Sequence, residues 1–168
     1  IDVARQPQGS EADKPNSPVD LDGATMAQYA PEGVQFQYES EPNNLFTEAN
    51  PLTGASAAVE GNIYPNGDVD YFSFQATAGD RVYAATMTSA SASGSTDSFL
   101  SLIGSDGTTV LESDNDDGTF GGQASSIAGT SIPSTGIYYL LVRHNSATGQ
   151  LRPYSLYFQL HSGAPTPE

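Results

Sequence analysis

Cysteine is absent from the 168 residues, which removes disulfide frameworks, thiolate metal sites and cysteine nucleophiles in one step. Basic residues are almost as scarce. Arg5, Lys14, Arg81, Arg143 and Arg152 stand against twenty acidic residues, for a net charge of −15. Phosphates would be repelled at long range, so nucleic acid is excluded as a partner. No apolar run approaches the roughly 18 residues that a transmembrane helix needs, and a soluble piece without membrane insertion is expected. Catalytic signatures are missing too: there is no His-Glu-x-x-His pair, no Gly-x-Ser-x-Gly elbow and no Gly-rich phosphate loop ending in Lys-Ser or Lys-Thr.

The chain does have length enough for one ordinary domain with something left over, able to bury a core without disulfides. Residues 1–37 are rich in Pro, Gly, Ser, Asp and Gln and keep no period of 2 or 3.6, so they read as an extended polar arm or linker. From Phe36 onward, short alternating apolar runs are separated by Gly, Asn, Asp and Ser clusters, the pattern of an all-β sandwich. Strands are predicted near 57–63, 69–76, 80–89, 97–104, 108–113, 125–132, 136–144 and 153–161, with almost no helix. The expected architecture is an antiparallel, jelly-roll-like β-sandwich of about eight strands over residues 38–162, followed by a tail at 163–168.

Alternation also assigns faces, because successive side chains of a strand point to opposite sides. Phe72 and Phe74 share a face with Asp70. Tyr138, Leu140 and Val142 form a second apolar row, and Tyr154, Leu156, Phe158 and Leu160 a third; these rows are the expected core. Asn66-Gly67, Ala78-Gly79-Asp80, Ser105-Asp106-Gly107 and Ser134-Thr135-Gly136 supply the turns between strands.

Taken in order, Glu39-Ser40-Glu41-Pro42-Asn43-Asn44, Gly61-Asn62-Ile63, the run Gly67 to Phe74, Ala78-Gly79-Asp80-Arg81-Val82, Leu100 to Gly107, Asp114 to Gly118 and Gly136 to Val142 resemble the bacterial pre-peptidase C-terminal domain family. The resemblance spans about residues 38–161. It implies a β-sandwich carried by secreted bacterial proteases and other exported proteins, similar to the collagen-binding domains of clostridial collagenases, and hence a secreted or cell-surface location. It also implies calcium, held by an acidic-Asn segment at the start of the domain together with an Asp-x-Asp-Tyr segment. Carried over residue by residue, the implied ligands are Glu39, Glu41, Asn43, Asn44, Asp68, Asp70 and the backbone carbonyl of Tyr71.

The chemistry of those residues is compatible with that role. Calcium collects six to eight oxygen ligands at roughly 2.3–2.6 Å. Glu39 and Glu41 alternate around Ser40 and project the same way from an extended segment, and Asp68 and Asp70 repeat the spacing at the entrance to a strand. Two such pairs face to face would repel without a cation between them. The alternative is a set of solvated carboxylates at strand ends with the Asn residues in Asx turns. Asp114-Asn115-Asp116-Asp117-Gly118 does not match an EF-hand loop: Gly118 is out of place for the loop glycine and the twelfth position is Ser125, so a polar hairpin loop is expected.

His144 and His161 lie at predicted strand ends outside any metal-ligand spacing, and no enzymatic activity is expected. The outward row Tyr139, Leu141 and Arg143, joined by Tyr157, is the candidate partner-binding face, since Tyr and Arg carry much of the energy at protein interfaces; ordinary exposed tyrosines are the competing reading. Two functions fit. One is a non-catalytic secreted calcium-binding module for extracellular binding or adhesion to a protein or polysaccharide surface. The other is a subunit of a self-assembling extracellular filament or surface layer, its arm contacting a neighbouring copy.

Overall fold

A computed structural model describes residues 34–118 and 123–163. The arm expected at residues 1–37 therefore lies outside the described residues up to residue 33. Its last residues do not stay apart from the sandwich: Gln35–Tyr38 form strand β1, which pairs parallel with β3.

Ten strands are present among the described residues: β1 (Gln35–Tyr38), β2 (Asn50–Pro51), β3 (Ser56–Ile63), β4 (Val69–Ala76), β5 (Arg81–Met87), β6 (Ser98–Ile103), β7 (Val110–Asn115), β8 (Ser126–Ser131), β9 (Gly136–His144) and β10 (Leu151–His161). All eight predicted strands are among them. The two additional ones, β1 and β2, are too short for an alternating pattern to register in the sequence. A 3-10 turn, Phe46–Glu48, lies before β2.

The strands form two five-stranded sheets, β1-β3-β10-β5-β8 and β2-β4-β9-β6-β7. The chain crosses between sheets at almost every step; β6 and β7 are the one consecutive pair joined as a hairpin. That alternation is the jelly-roll order expected of the eight main strands. It departs from a purely antiparallel sandwich at one side, where β1 pairs parallel with β3 and β2 parallel with β4. Gln37 links these two edges, donating to Pro51 O at 2.9 Å and accepting from Thr53 N at 3.3 Å.

The predicted apolar rows meet in the interior. Phe72, Phe74, Leu100, Leu102, Tyr138, Leu140 and Val142 of one sheet pack on Val59, Ile63, Val82, Tyr154, Leu156 and Phe158 of the other. The rings of Phe74 and Phe158 lie 4.8 Å apart across the gap. Each large side chain so buried contributes about 1.5–3 kcal/mol relative to exposure. The β6–β7 turn is closed by Asp106, whose carboxylate accepts from Thr108 N, Thr109 N and the Thr109 hydroxyl; those bonds hold its pKa down to about 2.

Candidate metal centre

Asp70 sits on the inward face of β4 beside Phe72, and is fully buried. A carboxylate there follows from the alternation that buries the two phenylalanines: the row continues to the open end of the sandwich, where the chain enters the strand. Asp68 lies two residues earlier at the same end and is also buried. It accepts from Tyr64 N at 2.7 Å, which fixes the loop between β3 and β4.

The segment 39–44 is brought against this strand by β1. Glu39 N donates to Glu60 O at 3.0 Å, continuing the β1–β3 pairing by one residue. The chain then turns, and Tyr71 N donates to Asn43 O at 2.9 Å. Asn50 holds the turn from outside, its amide accepting from Ser40 N at 2.7 Å and donating to Ser40 O at 2.9 Å. Glu41 Oε2 accepts from Asn43 N at 3.0 Å. Carboxylate oxygens of Glu41, Asp68 and Asp70 consequently lie within 4.8 Å of one another, Glu41 exposed and the two aspartates buried.

Glu39 lies behind this trio. Its Oε1 accepts from Asn62 N at 2.5 Å, and it shares a hydrogen bond with Asp70. Its Oε2 is buried and has no donor when both carboxyls are ionised; a proton on Asp70 would supply one. Gly61 makes room for it: a Cβ at that position would lie 2.5 Å from Glu39 Oε2 and 2.7 Å from the Tyr154 ring. On the far side, Tyr154 Oη donates to Asp70 Oδ2 at 2.5 Å.

So many acids so close cannot all ionise on their own. Burial, then the hydrogen bond and charge of Glu39, push the Asp70 carboxyl up to about 10, against the pull of the Tyr154 hydroxyl. Burial raises Glu39 as well, opposed by its bonds to Asp70 and Asn62. Glu41 is raised by burial and by the charges of Asp68 and Glu39. Tyr154 is held far above the ordinary tyrosine range by burial and by Asp70.

The two asparagines decide what such a pocket can hold. Turned one way, the Asn43 amide oxygen faces Asp70 Oδ1 at 3.2 Å and Glu41 Oε2 at 3.1 Å, and the Asn44 oxygen faces Val69 O and Asp68 Oδ1, each at 3.0 Å. Oxygens at those separations repel unless a cation lies among them. Turned the other way, the amide NH2 groups donate to the same atoms. The donor set is all oxygen, without sulfur or imidazole, and suits a hard cation.

Glu39, Glu41, Asn43, Asn44, Asp68 and Asp70 are thus brought to one place, and Tyr71 joins through its backbone N–H. Asn50, Gly61, Asn62 and Tyr154 also build the site and were not singled out for it in the sequence. A glycine inside a strand run, as at Gly61, is the one local signal of close approach that could have found them.

The second acidic segment is not the hairpin loop expected. It leaves β7 in one sheet and crosses to β8 in the other, because those strands are the neighbouring edges of opposite sheets. Asp114 Oδ2 accepts from Ser126 N at 2.6 Å and Gly118 N donates to Ala124 O at 2.7 Å, so the segment spans the sandwich edge.

The expected partner-binding face is divided. Tyr139, Leu141 and Arg143 point outward from β9, but Tyr157 points outward from β10, which belongs to the opposite sheet. Outward from one sheet is away from the other, so Tyr157 cannot join that row. Tyr139 is itself covered by Phe46, edge to face at 5.6 Å, and the Arg143 guanidinium lies 3.9 Å from the Phe99 ring centre.

His161 is exposed at the end of β10. His144 is buried, with its Nε2 2.6 Å from Ser95 Oγ. Its Nδ1 lies 2.8 Å from Ser146 N and 3.1 Å from Ser146 O, so either tautomer of the ring finds a partner there.

Residues 68–144 match the model of the bacterial pre-peptidase C-terminal domain family, which bears out the resemblance over that span. The matched residues begin at Asp68 and include Asp70; Glu39 to Asn44 precede them. The chain is 32% identical over 103 residues to a probable subtilase-type serine protease of Deinococcus radiodurans, a match covering 61% of this chain and 14% of the protease. Among solved structures, a periplasmic inhibitor of g-type lysozyme from Aeromonas hydrophila aligns with a TM-score of 0.50 at 15% identity, over 76% of this chain and 99% of that one. The pre-peptidase C-terminal domain of a collagenase from Bacillus anthracis aligns with a TM-score of 0.48 at 15% identity, over 73% of this chain and 99% of the domain.

Proposed function

We propose that this chain is a non-catalytic module of an exported bacterial protein, that it binds calcium at the entry to its sandwich, and that it serves extracellular binding or adhesion to a polymeric substrate, matrix or cell surface. One observation carries the metal reading: Glu41, Asp68 and Asp70, from two segments far apart in sequence, place carboxylate oxygens within 4.8 Å of one another around two buried aspartates. Glu41, Asp68, Asp70, Asn43 and Asn44 would hold the ion, with Glu39 and Tyr71 bracing them. Calcium would supply two positive charges and a demand for six to eight oxygens.

The reading explains why acids gather where burial disfavours their ionisation: the charge is meant to be shared with a cation. It also gives the site a structural task. The ion would fasten the segment that follows β1 to β4, and so join the two sheets at the end where the chain enters. A binding role beside a separate catalytic domain is supported by the family match and by the serine protease, of which this chain spans 14%.

Thermal unfolding with and without chelator tests this. EDTA is expected to lower the midpoint, and calcium to restore it. Calcium at a hundred times its dissociation constant contributes about 2.7 kcal/mol, or roughly 5–11 °C for a chain of this size. Identical melting curves in EDTA and in calcium would sink the metal reading.

A further inference from the structure

An open groove of about 370 Å³ lies at the mouth of the acidic centre, lined by Glu39, Glu41, Asn62, Tyr64 and Arg152. Its volume is within the range of small-molecule sites. Arg152 is the unusual member. Among the described residues, Arg81 donates to Gly129 O and Arg143 to His144 O and Asn145 O, whereas the Arg152 guanidinium makes no hydrogen bond. It is held instead over the ring of Tyr64, 4.4 Å from its centre, with its donors left for something else.

We propose that this groove is a subsite for a uronic acid, a sugar ring bearing one carboxylate, as found in acidic polysaccharides. The chemistry of the lining selects that class. Arg152 is a donor only and fits a carboxylate through two parallel bonds. Glu41 is an exposed acceptor and fits a hydroxyl; Asn62 can donate or accept. A simple carboxylate would satisfy the arginine and face the glutamates with nothing to offer. A neutral sugar would leave the guanidinium unmatched. The proposal rests on the calcium reading, because the charges of Glu39 and Glu41 repel an anion until a cation compensates them.

The test is a calorimetric titration of the whole chain with digalacturonic acid, in calcium and in EDTA, beside a neutral galactose dimer and sodium acetate. The expected result is binding of digalacturonic acid in calcium, with a loss of about tenfold or more in EDTA and in Arg152→Met, which keeps the aliphatic stem. Tyr64→Ala is expected to weaken binding as well, since it removes the support of the guanidinium. Thermal response to calcium alone is measured on every sample. A chain that responds to calcium but ignores digalacturonic acid overturns the subsite and leaves the metal reading standing; a chain without calcium response fails both. Equal binding by the neutral dimer, by acetate or by Arg152→Met also overturns it, and acetate binding as well as the sugar would point to a peptide carboxylate instead.

Discussion

Tyr154 Oη donates to Asp70 Oδ2 at 2.5 Å across the interior of the sandwich, joining β10 of one sheet to β4 of the other. Both residues are buried, and the bond is the point where the acidic cluster touches the core. Tyr154→Phe keeps the ring and removes the donor, leaving Asp70 without it. The expected cost is about 1–3 kcal/mol in the chelated protein, together with weaker calcium binding. Denaturant unfolding measures the first and a calcium titration the second; a variant unchanged in both would mean the bond is incidental.

Asp70→Asn separates the charge from the shape. The amide fills the same space and brings no buried charge, so without metal the variant should be at least as stable as the parent. Its calcium response should be lost. Glu41→Ala, at an exposed position, should likewise abolish the response and leave the fold. Either variant melting with the full calcium shift of the parent would show that the ion sits elsewhere.

The pH dependence follows from Asp70 and Glu39, both raised by burial. A group whose folded pKa lies above its unfolded value binds its proton more tightly when folded. Its contribution is fully present below the unfolded carboxylate range, about pH 4, and is lost as pH rises toward the folded value of about 10 for Asp70. The metal-free protein should therefore lose stability as pH climbs through that window. Calcium displaces the proton, so the gain in midpoint on adding calcium should grow with pH. Calorimetry in buffers of differing ionisation enthalpy should show proton release on binding; a calcium effect independent of pH would mean the acids are already ionised.

Gly61→Ala tests the tightness of the centre. The new Cβ would lie 2.5 Å from Glu39 Oε2 and 2.7 Å from the Tyr154 ring, so at least one must move. Overpacking of this kind costs about 1–3 kcal/mol. The calcium affinity should fall with it, because both displaced groups hold Asp70. Stability and affinity both at parental levels would show that the strand yields without disturbing the acids.

Strand β1 should report on the metal by hydrogen exchange. It pairs with β3 on one side only and runs directly into the segment carrying Glu39 and Glu41. Chelation is expected to speed exchange in Gln35–Tyr38 more than in the central strands β9 and β10. Uniform exchange across the chain in both states would contradict a fastening role.

Much of this protein follows from its linear pattern. Alternation placed Phe72, Phe74, Tyr138, Leu140, Tyr154 and Phe158 inside, because a strand's side chains have a period of two whatever the strand pairs with. The same rule put Asp70 on the buried face, and the i, i+2 acids of 39–41 and 68–70 marked the two segments of the site. Pairing partners carry no such period. That β7 and β8 belong to different sheets, that Tyr157 looks away from Tyr139, and that β1 and β2 run parallel to their neighbours are decided by how the sheets close. The parts of the centre supplied by Gly61, Asn62 and Tyr154, and the placing of Arg152 over Tyr64 at its mouth, depend on contacts between residues far apart in the chain. Only packing of the two sheets brings those groups within bonding distance, and so only the tertiary structure turns two short acidic segments into one oxygen-lined pocket.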